Sequence, residues 1–376
     1  MKAVGAKNLP KLRDFMQDKK IDAVLFLGSD VNVRYFSNFV GSCLLAITND
    51  ERVLFAHPLE FDKASQQADV EEIVNTKNFD CSYGKALKKK LKRYKKIGIV
   101  KSDFPLRLFE DLKKRTRAKF IDIENYIAEL RSVKFEKEIE LIKRSAKISN
   151  SGIKIIEEVL NEIRKGRKIK EKDIALRIEQ EMREKGSEGF AFETIVATGK
   201  RSAFPHPYPS ASEQLVNGIG YADFGAVYQG YCSDVTIPFV IGKISENQIR
   251  IIKAVMEAYD FAVGSIEIGL PNWRLYEKIE KLLKSKGFEL KHGLGHGLGL
   301  TVHDYPSVPA KPRYKIQLKD WKETRFKENM VFTIEPAVYV RNIGGCRLEN
   351  DALLTKKGIK ILTNSRLINL NTFLLI

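Results

Sequence analysis

Apolar and polar positions divide the chain into two differently patterned parts. Over the first 130 residues, short apolar runs alternate with helical stretches. DAVLFLG (Asp22–Gly28), CLLAITND (Cys43–Asp50), RVLFAHP (Arg52–Pro58) and KKIGIV (Lys95–Val100) read as strands bounded by turn-forming residues. Asn8–Lys19 and Leu106–Arg115 read as helices. Such alternation predicts an α/β domain over residues 1–130, with its boundary near Arg131–Lys134. From there the pattern changes to helices followed by hairpins. FEKEIELIKRSAKISNSGIKIIEEVLNEI carries Ile139, Ile142 and Ala146 at helical spacing. EKDIALRIEQEMREKG predicts a helix stopping at Gly186. Ser245 with Gln248 three residues on forms a capping box for the next helix. NWRLYEKIEKLLKSKG follows Pro271 and ends at Gly287. Strands are expected at Thr194–Thr198, in a hairpin from Ile219 to Val240, and in a second hairpin from Val331 to Leu354. Residues 131–376 therefore read as an α+β domain. The helix–helix–hairpin order occurs twice, although the letters do not align well enough to claim a duplication.

Composition narrows the class. With 43% hydrophobic and 30% charged residues, the chain suits a soluble globular protein. No apolar run approaches the roughly 18 residues of a membrane span. The start, MKAVGAKNLPKLRDF, has no leader-like apolar stretch, so a cytoplasmic protein without a membrane partner is expected. Cys43, Cys81, Cys232 and Cys346 lack CxxC spacing, which predicts reduced, mostly buried thiols. The net charge of +17 raises nucleic acid as a partner. Against it, the one dense basic run, Lys85–Lys96, has Leu87 and Leu91 on one helical face and no aromatic stacking pattern beside it. A solvated helix explains that run, and nucleic acid is disfavoured.

The chemistry concentrates in the two hairpins. DFGAVYQGYCSD puts Asp223 and Asp234 into an apolar hairpin. A turn at Tyr228–Gln229 would set the two directly opposite, their Cβ atoms roughly 5 Å apart. Burying such like charges unpaired costs several kcal/mol. VFTIEPAVYV carries Glu335 and GGCRLENDALLT carries Glu349, again among apolar residues. Four of the five histidines, His206, His292, His296 and His303, lie in the second domain, three of them in the Gly-rich stretch HGLGHGLGLTVH. His57 stands alone and reads as structural or surface. Four carboxylates with a glycine-flanked imidazole suit two divalent first-row ions such as Mn²⁺, Co²⁺, Zn²⁺ or Fe²⁺. Cations would remove the repulsion between the aspartates. The competing reading is a structural carboxylate network.

DFGAVYQGYCSD, HGLGHGLG followed by VHDYP, FTIEPAVY and CRLEND resemble, in order and spacing, the metal-binding segments of the pita-bread metallopeptidases. That superfamily includes prolidase, aminopeptidase P, methionine aminopeptidase and creatinase. The likeness runs from about Leu130 to the C-terminus, and the first domain resembles the creatinase-type domain of the prolidase and aminopeptidase P branch. It implies a fold of a creatinase-like α/β domain followed by an α+β pita-bread domain. By the same resemblance Asp223 binds one ion, Asp234 and Glu349 bridge two, and His296 and Glu335 bind the other. A hydroxide between the ions is the implied nucleophile and Glu335 the implied proton acceptor. His206, His292 and His303 are implied to contact substrate and intermediate, and Arg347 to support the site or hold a substrate carboxylate. The implied activity is hydrolysis of Xaa-Pro bonds in small peptides by a homodimer, as a dipeptidase or an aminopeptidase, which residue types cannot separate. Asp304, Ala337 and Asn329 depart from the usual glutamate, glycine and glycine, and Ala310–Phe326 looks longer than the usual connection. Methionine aminopeptidase is disfavoured by the first domain and by Arg347. Creatinase-type chemistry is disfavoured because the ligand set is complete. A non-catalytic relative that binds RNA or protein is the alternative from another class.

Overall fold

The computed structural model describes residues 2–28, 30–90, 94–312 and 321–369. Leu91 and residues 313–320 of the unusual Ala310–Phe326 connection therefore lie outside the described residues. The chain divides into two compact units, Met1–Leu130 and Arg131–Ile376.

The first unit is built on a mixed six-stranded sheet. Its strands are β1 (Ala23–Leu27), β2 (Cys43–Thr48), β3 (Arg52–Ala56), β4 (Glu72–Asn75), β5 (Lys96–Ile99) and β6 (Lys119–Asp122), in the order β4-β3-β2-β1-β5-β6. The four apolar runs form the four central strands, and both edges, β4 and β6, were not legible. Their sequences, EIVN and KFID, alternate only briefly and are at best half-buried, so they carry little hydrophobic signal. Leu25, Leu44, Phe55, Leu87 and Leu112 meet in the core of this unit. The basic run contributes a helix, Tyr83–Lys90, whose Leu87 is buried while its lysines face outward. His57 accepts a hydrogen bond from the Leu59 amide through Nδ1 at 3.3 Å and caps a short turn.

The second unit repeats one arrangement. Helices Glu136–Arg164 and Glu171–Glu184 are followed by β7 (Gly189–Phe190), β8 (Ile195–Thr198), β9 (Gly218–Phe224), β10 (Ala226–Tyr228), β11 (Tyr231–Cys232) and β12 (Val235–Ile241). Helices Glu246–Ser265 and Asn272–Ser285 are followed by β13 (His296–Gly297), β14 (Asp304–Ser307), β15 (Val331–Ile334), β16 (Ala337–Val340), β17 (Gly344–Arg347), β18 (Asn350–Thr355), β19 (Gly358–Ile361) and β20 (Ile368–Asn369). Each helix pair buries its apolar stripe on its own hairpin. Ile156, Ile178 and Met182 pack on Phe224, Ile237 and Phe239, and Val255, Ile279 and Leu283 pack in the core that holds Phe332, Ile334 and Leu354. Truncating one of these aromatic anchors to alanine costs about 3–5 kcal/mol. The capping box at Ser245 forms, with Gln248 Oε1 accepting from the Ser245 amide at 2.9 Å. Asn329 sits at φ 64°, a left-handed turn that asparagine tolerates in place of glycine.

The register of the first hairpin differs from the expected one. Asp223 pairs with Thr236, and Tyr228 pairs with Tyr231. The turn is therefore Gln229–Gly230, with φ 46° and 77°, the left-handed pair that a tight hairpin turn demands. Counting from Tyr228–Gln229 ignored this demand, which Gly230 meets and Tyr228 does not. Asp234 consequently lies diagonally across from Asp223 on the same face. The second hairpin is also interrupted. Its outer part, β16–β17, and its inner part, β15–β18, belong to different sheets but share one register. Continued across the gap, that register sets Glu335 opposite Glu349.

Candidate metal centre

The four proposed carboxylate ligands sit at or next to breaks in the two hairpin ladders. Asp234 lies in the gap between β9–β12 and β10–β11, and Asp223 stands one pair inside the end of β9. Glu335 and Glu349 occupy the gap between β15–β18 and β16–β17, where Pro336 brings no N–H to a ladder. Breaking a ladder frees side chains of opposite strands to converge. The Gly-rich stretch then supplies the imidazole. A Cβ on Gly295 would meet the Thr333 carbonyl at 2.0 Å, so only glycine lets this segment lie against β15 and present His296. Thr333 Oγ1 accepts from the His296 amide at 3.2 Å and fixes that approach.

Asp223, Asp234, His296, Glu335, Glu349, His206, His292, His303 and Arg347 all line one cavity of about 530 Å³. Asp234, His296 and Glu349 form the tightest group, their ligand atoms within 4.8 Å of one another. Glu335 Oε1 lies 3.6 Å from His296 Nε2, and Asp234 Oδ2 lies 3.5 Å from the same nitrogen. His296 Nδ1 faces the Gly297 carbonyl at 3.0 Å. A proton on Nδ1 leaves the Nε2 lone pair aimed at the carboxylates, the tautomer a metal requires. Asp223 stands apart from the tightest group because its Oδ2 is ion-paired with Arg347.

The electrostatics describe a site short of positive charge. Burial pushes Asp234 up to about 7, with Asp223 and Glu335 adding repulsion and His296 opposing. Burial and the neighbouring Asp234, Glu335 and Asp223 hold Glu349 well above the ordinary carboxylate range. For His296, burial alone would lower the value, but contact with Asp234 and the charges of Glu335 and Asp234 raise it to about 9. One oxygen each of Asp223 and Asp234 is buried without a hydrogen-bond partner. Buried carboxylate oxygens normally have partners. Two orphaned ones beside an imidazole are what a divalent-cation site looks like, so these residues fit the ions implied by the ligand pattern.

The remaining candidates take distinct places. Burial lowers His292, whose Nδ1 faces the Gly293 carbonyl at 2.7 Å and whose Nε2 meets the Tyr339 hydroxyl at 3.1 Å. Arg347 donates to that hydroxyl at 2.5 Å, and burial favours the neutral form of His292. His303 stacks edge-on against His296, with centroids 4.4 Å apart. Behind it Asp304 pairs with Arg131 at 2.8 Å and lies 3.9 Å from Lys134. Aspartate in place of the usual glutamate therefore still reaches its cations. His206 is exposed on the cavity wall with Pro205, Pro207 and Tyr208.

Arg347 is not an open hook for a substrate carboxylate. Its guanidinium is buried and bonded to Asp223, Thr236 (2.9 Å), Tyr339 (2.5 Å) and the Pro205 carbonyl (3.4 Å), and it stacks over Tyr221 at 4.6 Å. A further carboxylate, Asp351, lies near Asp234. Both oxygens of fully buried Asp351 sit 3.2 Å from the Asp234 amide. Sequence reading passed over Asp351, Tyr339 and Thr236. Thr236 donates to Glu349 Oε2 at 2.6 Å and Asp351 accepts from the Asp234 amide, both across the two hairpins, while Tyr339 on the second hairpin meets His292. Spacing within one hairpin cannot reveal contacts between two. The only available signal for Asp351 was a second acid in LENDALL.

Residues 140–356 match Metallopeptidase family M24, and residues 9–133 match the Creatinase/Prolidase N-terminal domain. The chain is 34% identical to an Xaa-Pro dipeptidase of Pyrococcus horikoshii over 96% of this chain and 97% of that protein. It resembles the crystal structure of a prolidase from Pyrococcus horikoshii OT3 with a TM-score of 0.84 at 33% identity, covering 96% of this chain and 99% of the other. An X-Pro aminopeptidase from Thermotoga maritima gives 0.78 at 32% identity, covering 93% and 98%. The chain belongs to metallopeptidase family M24: a creatinase-type N-terminal domain followed by a pita-bread catalytic domain, and it is a peptidase.

Proposed function

We propose that this metallopeptidase is an Xaa-Pro dipeptidase that uses two divalent ions. The observation that carries the reading is the pair of orphaned buried aspartate oxygens beside the Asp234–His296–Glu349 group. Asp223 and Asp234 would hold one ion, His296 and Glu335 the other, with Asp234 and Glu349 shared between them. Mn²⁺, Co²⁺, Zn²⁺ and Fe²⁺ all suit such oxygen-rich ligands with one imidazole. When bound, the ions polarise the scissile carbonyl and acidify a water so that it attacks at neutral pH.

The chain's own residues do the rest. Glu335 accepts the proton of the attacking water and returns it to the proline nitrogen as the C–N bond breaks. Neutral His292, with His303 and His206, contacts the substrate carbonyl and its tetrahedral successor. Pro205, Pro207 and Tyr208 offer an apolar wall to the proline ring. An Xaa-Pro bond has no amide N–H, and nothing in this assignment requires one. The chain's identity to an Xaa-Pro dipeptidase over nearly its whole length supports the substrate class. Its likeness to an X-Pro aminopeptidase keeps a second reading, in which the cavity admits residues beyond proline. Hydrolysis of Xaa-Pro dipeptides against Xaa-Pro-Xaa tripeptides, by metal-free protein reconstituted with Mn²⁺, Co²⁺ or Zn²⁺, separates the two. Dipeptide cleavage with tripeptides inert is the expected result, and tripeptide cleavage selects the aminopeptidase. Homodimer assembly and a cytoplasmic location belong to the same proposal, tested by solution mass and cell fractionation.

A further inference from the structure

Beside Asp223 the wall of the cavity carries a fault in its ladder. Strand β8 pairs Ile195 with Asp223, and β7 pairs Phe190 with Ala226. Between these pairs, Ala191–Thr194 on one side oppose only Phe224 and Gly225 on the other. Four residues thus face two. The Ala191 amide still bonds the Gly225 carbonyl at 2.9 Å, so the surplus falls on Phe192 and Glu193. Gly225 lets Ala191 approach closely at the fault, because a Cβ there would lie 2.9 Å from the Ala191 Cβ. Bulges beside active sites re-aim side chains. Here both extruded residues line the cavity.

Glu193 differs from the other acids of that cavity. Asp223, Asp234, Glu335 and Glu349 belong to the metal group. Glu193 is exposed, and its carboxylate has no ion pair or hydrogen bond among the described residues, in a chain of net charge +17. An unpaired anion at the rim disfavours the carboxylate of a product proline and favours a cation. A dipeptide brings an α-ammonium, but that group is two bonds from the scissile carbonyl and stays with it beside the metal group. A long basic side chain reaches outward from the same Cα. The half-buried Phe192 ring gives its methylenes an apolar surface. We infer that the Phe192–Glu193 bulge is a specificity site that selects a lysine or arginine side chain in the residue preceding proline. The inference rests on the Xaa-Pro reading above.

Lysyl-proline and norleucyl-proline separate the terms, because both carry the α-ammonium and a side chain of similar length, and only one carries the second charge. Wild type should favour lysyl-proline in kcat/KM by about five-fold, the upper size for an exposed ion pair. Added salt should shrink the preference. Glu193→Gln should bring the ratio near one, and Glu193→Lys should place glutamyl-proline above lysyl-proline. Reading a ratio removes any general loss of turnover in the variants. A ratio that Glu193→Gln leaves unchanged would overturn the specificity assignment while leaving the Xaa-Pro reading intact. If wild type hydrolysed neither dipeptide with any of the three metals, both readings would fall.

Discussion

The two hairpins of the catalytic unit share a plan and differ in how firmly they hold their acids. In the first, Asp223 is ion-paired with Arg347, and the Asp234 amide is bonded to Asp351. Both braces come from the second hairpin. Glu349 of the second is held in turn by Thr236 of the first, and their backbones bridge, the Glu349 amide to the Thr236 carbonyl at 3.2 Å. Among the described residues, the Glu335 carboxylate has no such brace. Its nearest donor is Thr333 Oγ1 at 3.5 Å, and its other neighbours are the imidazoles of His292 and His296, each 3.6 Å away. The carboxylates of Asp223 and Glu349 are locked by contacts across the hairpins, Asp234 is held there through its backbone amide, and Glu335 is left beside histidines that face the cavity. A locked carboxylate suits a ligand, and a looser one can also carry a proton. This difference accords with the double role, ligand and proton acceptor, that the resemblance implies for Glu335.

Breaking the locked side should have the largest effect. Asp234→Ala should abolish hydrolysis and leave one ion or none per chain by elemental analysis. Asp351 is bonded to the backbone of residue 234 and should not replace the lost side chain. Glu335→Gln sharpens the contrast, since it should also abolish turnover but retain more metal than Asp234→Ala. Equal metal loss in the two variants would remove the distinction between the acids.

Next in size are the histidines that are not proposed as ligands. His303→Ala or His206→Ala should lower kcat/KM by roughly 10²–10³ with metal content near wild type. Loss of metal in either variant would move that residue into the ligand set. Asp351→Asn tests the cross-brace itself. Weakening the support of a ligand typically costs 10–100-fold in metal affinity, readable by competition with a chelator.

The smallest effect is read in stability. Burial alone would raise Asp304, but Arg131 and Lys134 hold it below the ordinary carboxylate range. A depressed folded-state value contributes stability that is present above the unfolded value, near 3.9, and is lost as pH falls through the lower folded value. Asp304→Asn should therefore be less stable than wild type at pH 7 in denaturant titrations. The gap should narrow as the pH falls below about 4. A constant gap across that range would assign the loss to packing instead.

Much of this arrangement was legible from the letters, and the omissions have physical causes. Long amphipathic helices and central apolar strands announce themselves by period, whereas the half-buried edges β4 and β6 do not. Acids and glycines in apolar strands conflict with local propensity, and such conflicts mark sites. The family follows from those motifs. What failed was geometry that depends on a turn or on a second element. The Gln229–Gly230 turn moved Asp223 from a position opposite Asp234 to a diagonal one. Arg347, Tyr339, Thr236 and Asp351 act across two hairpins more than a hundred positions apart in the case of Asp223 and Arg347. The Phe192–Glu193 bulge appears only when two registers are compared.

The central claim is that the two hairpins together hold two ions on which hydrolysis depends. Titrating metal-free protein with Mn²⁺ or Co²⁺ while measuring bound metal and Xaa-Pro hydrolysis tests it directly. Activity should appear with loading and level off at two ions per chain, and Glu349→Ala, which removes an acid proposed to serve both ions, should abolish that plateau. Full hydrolysis by metal-free protein, or two tightly bound ions in Glu349→Ala, would contradict the account.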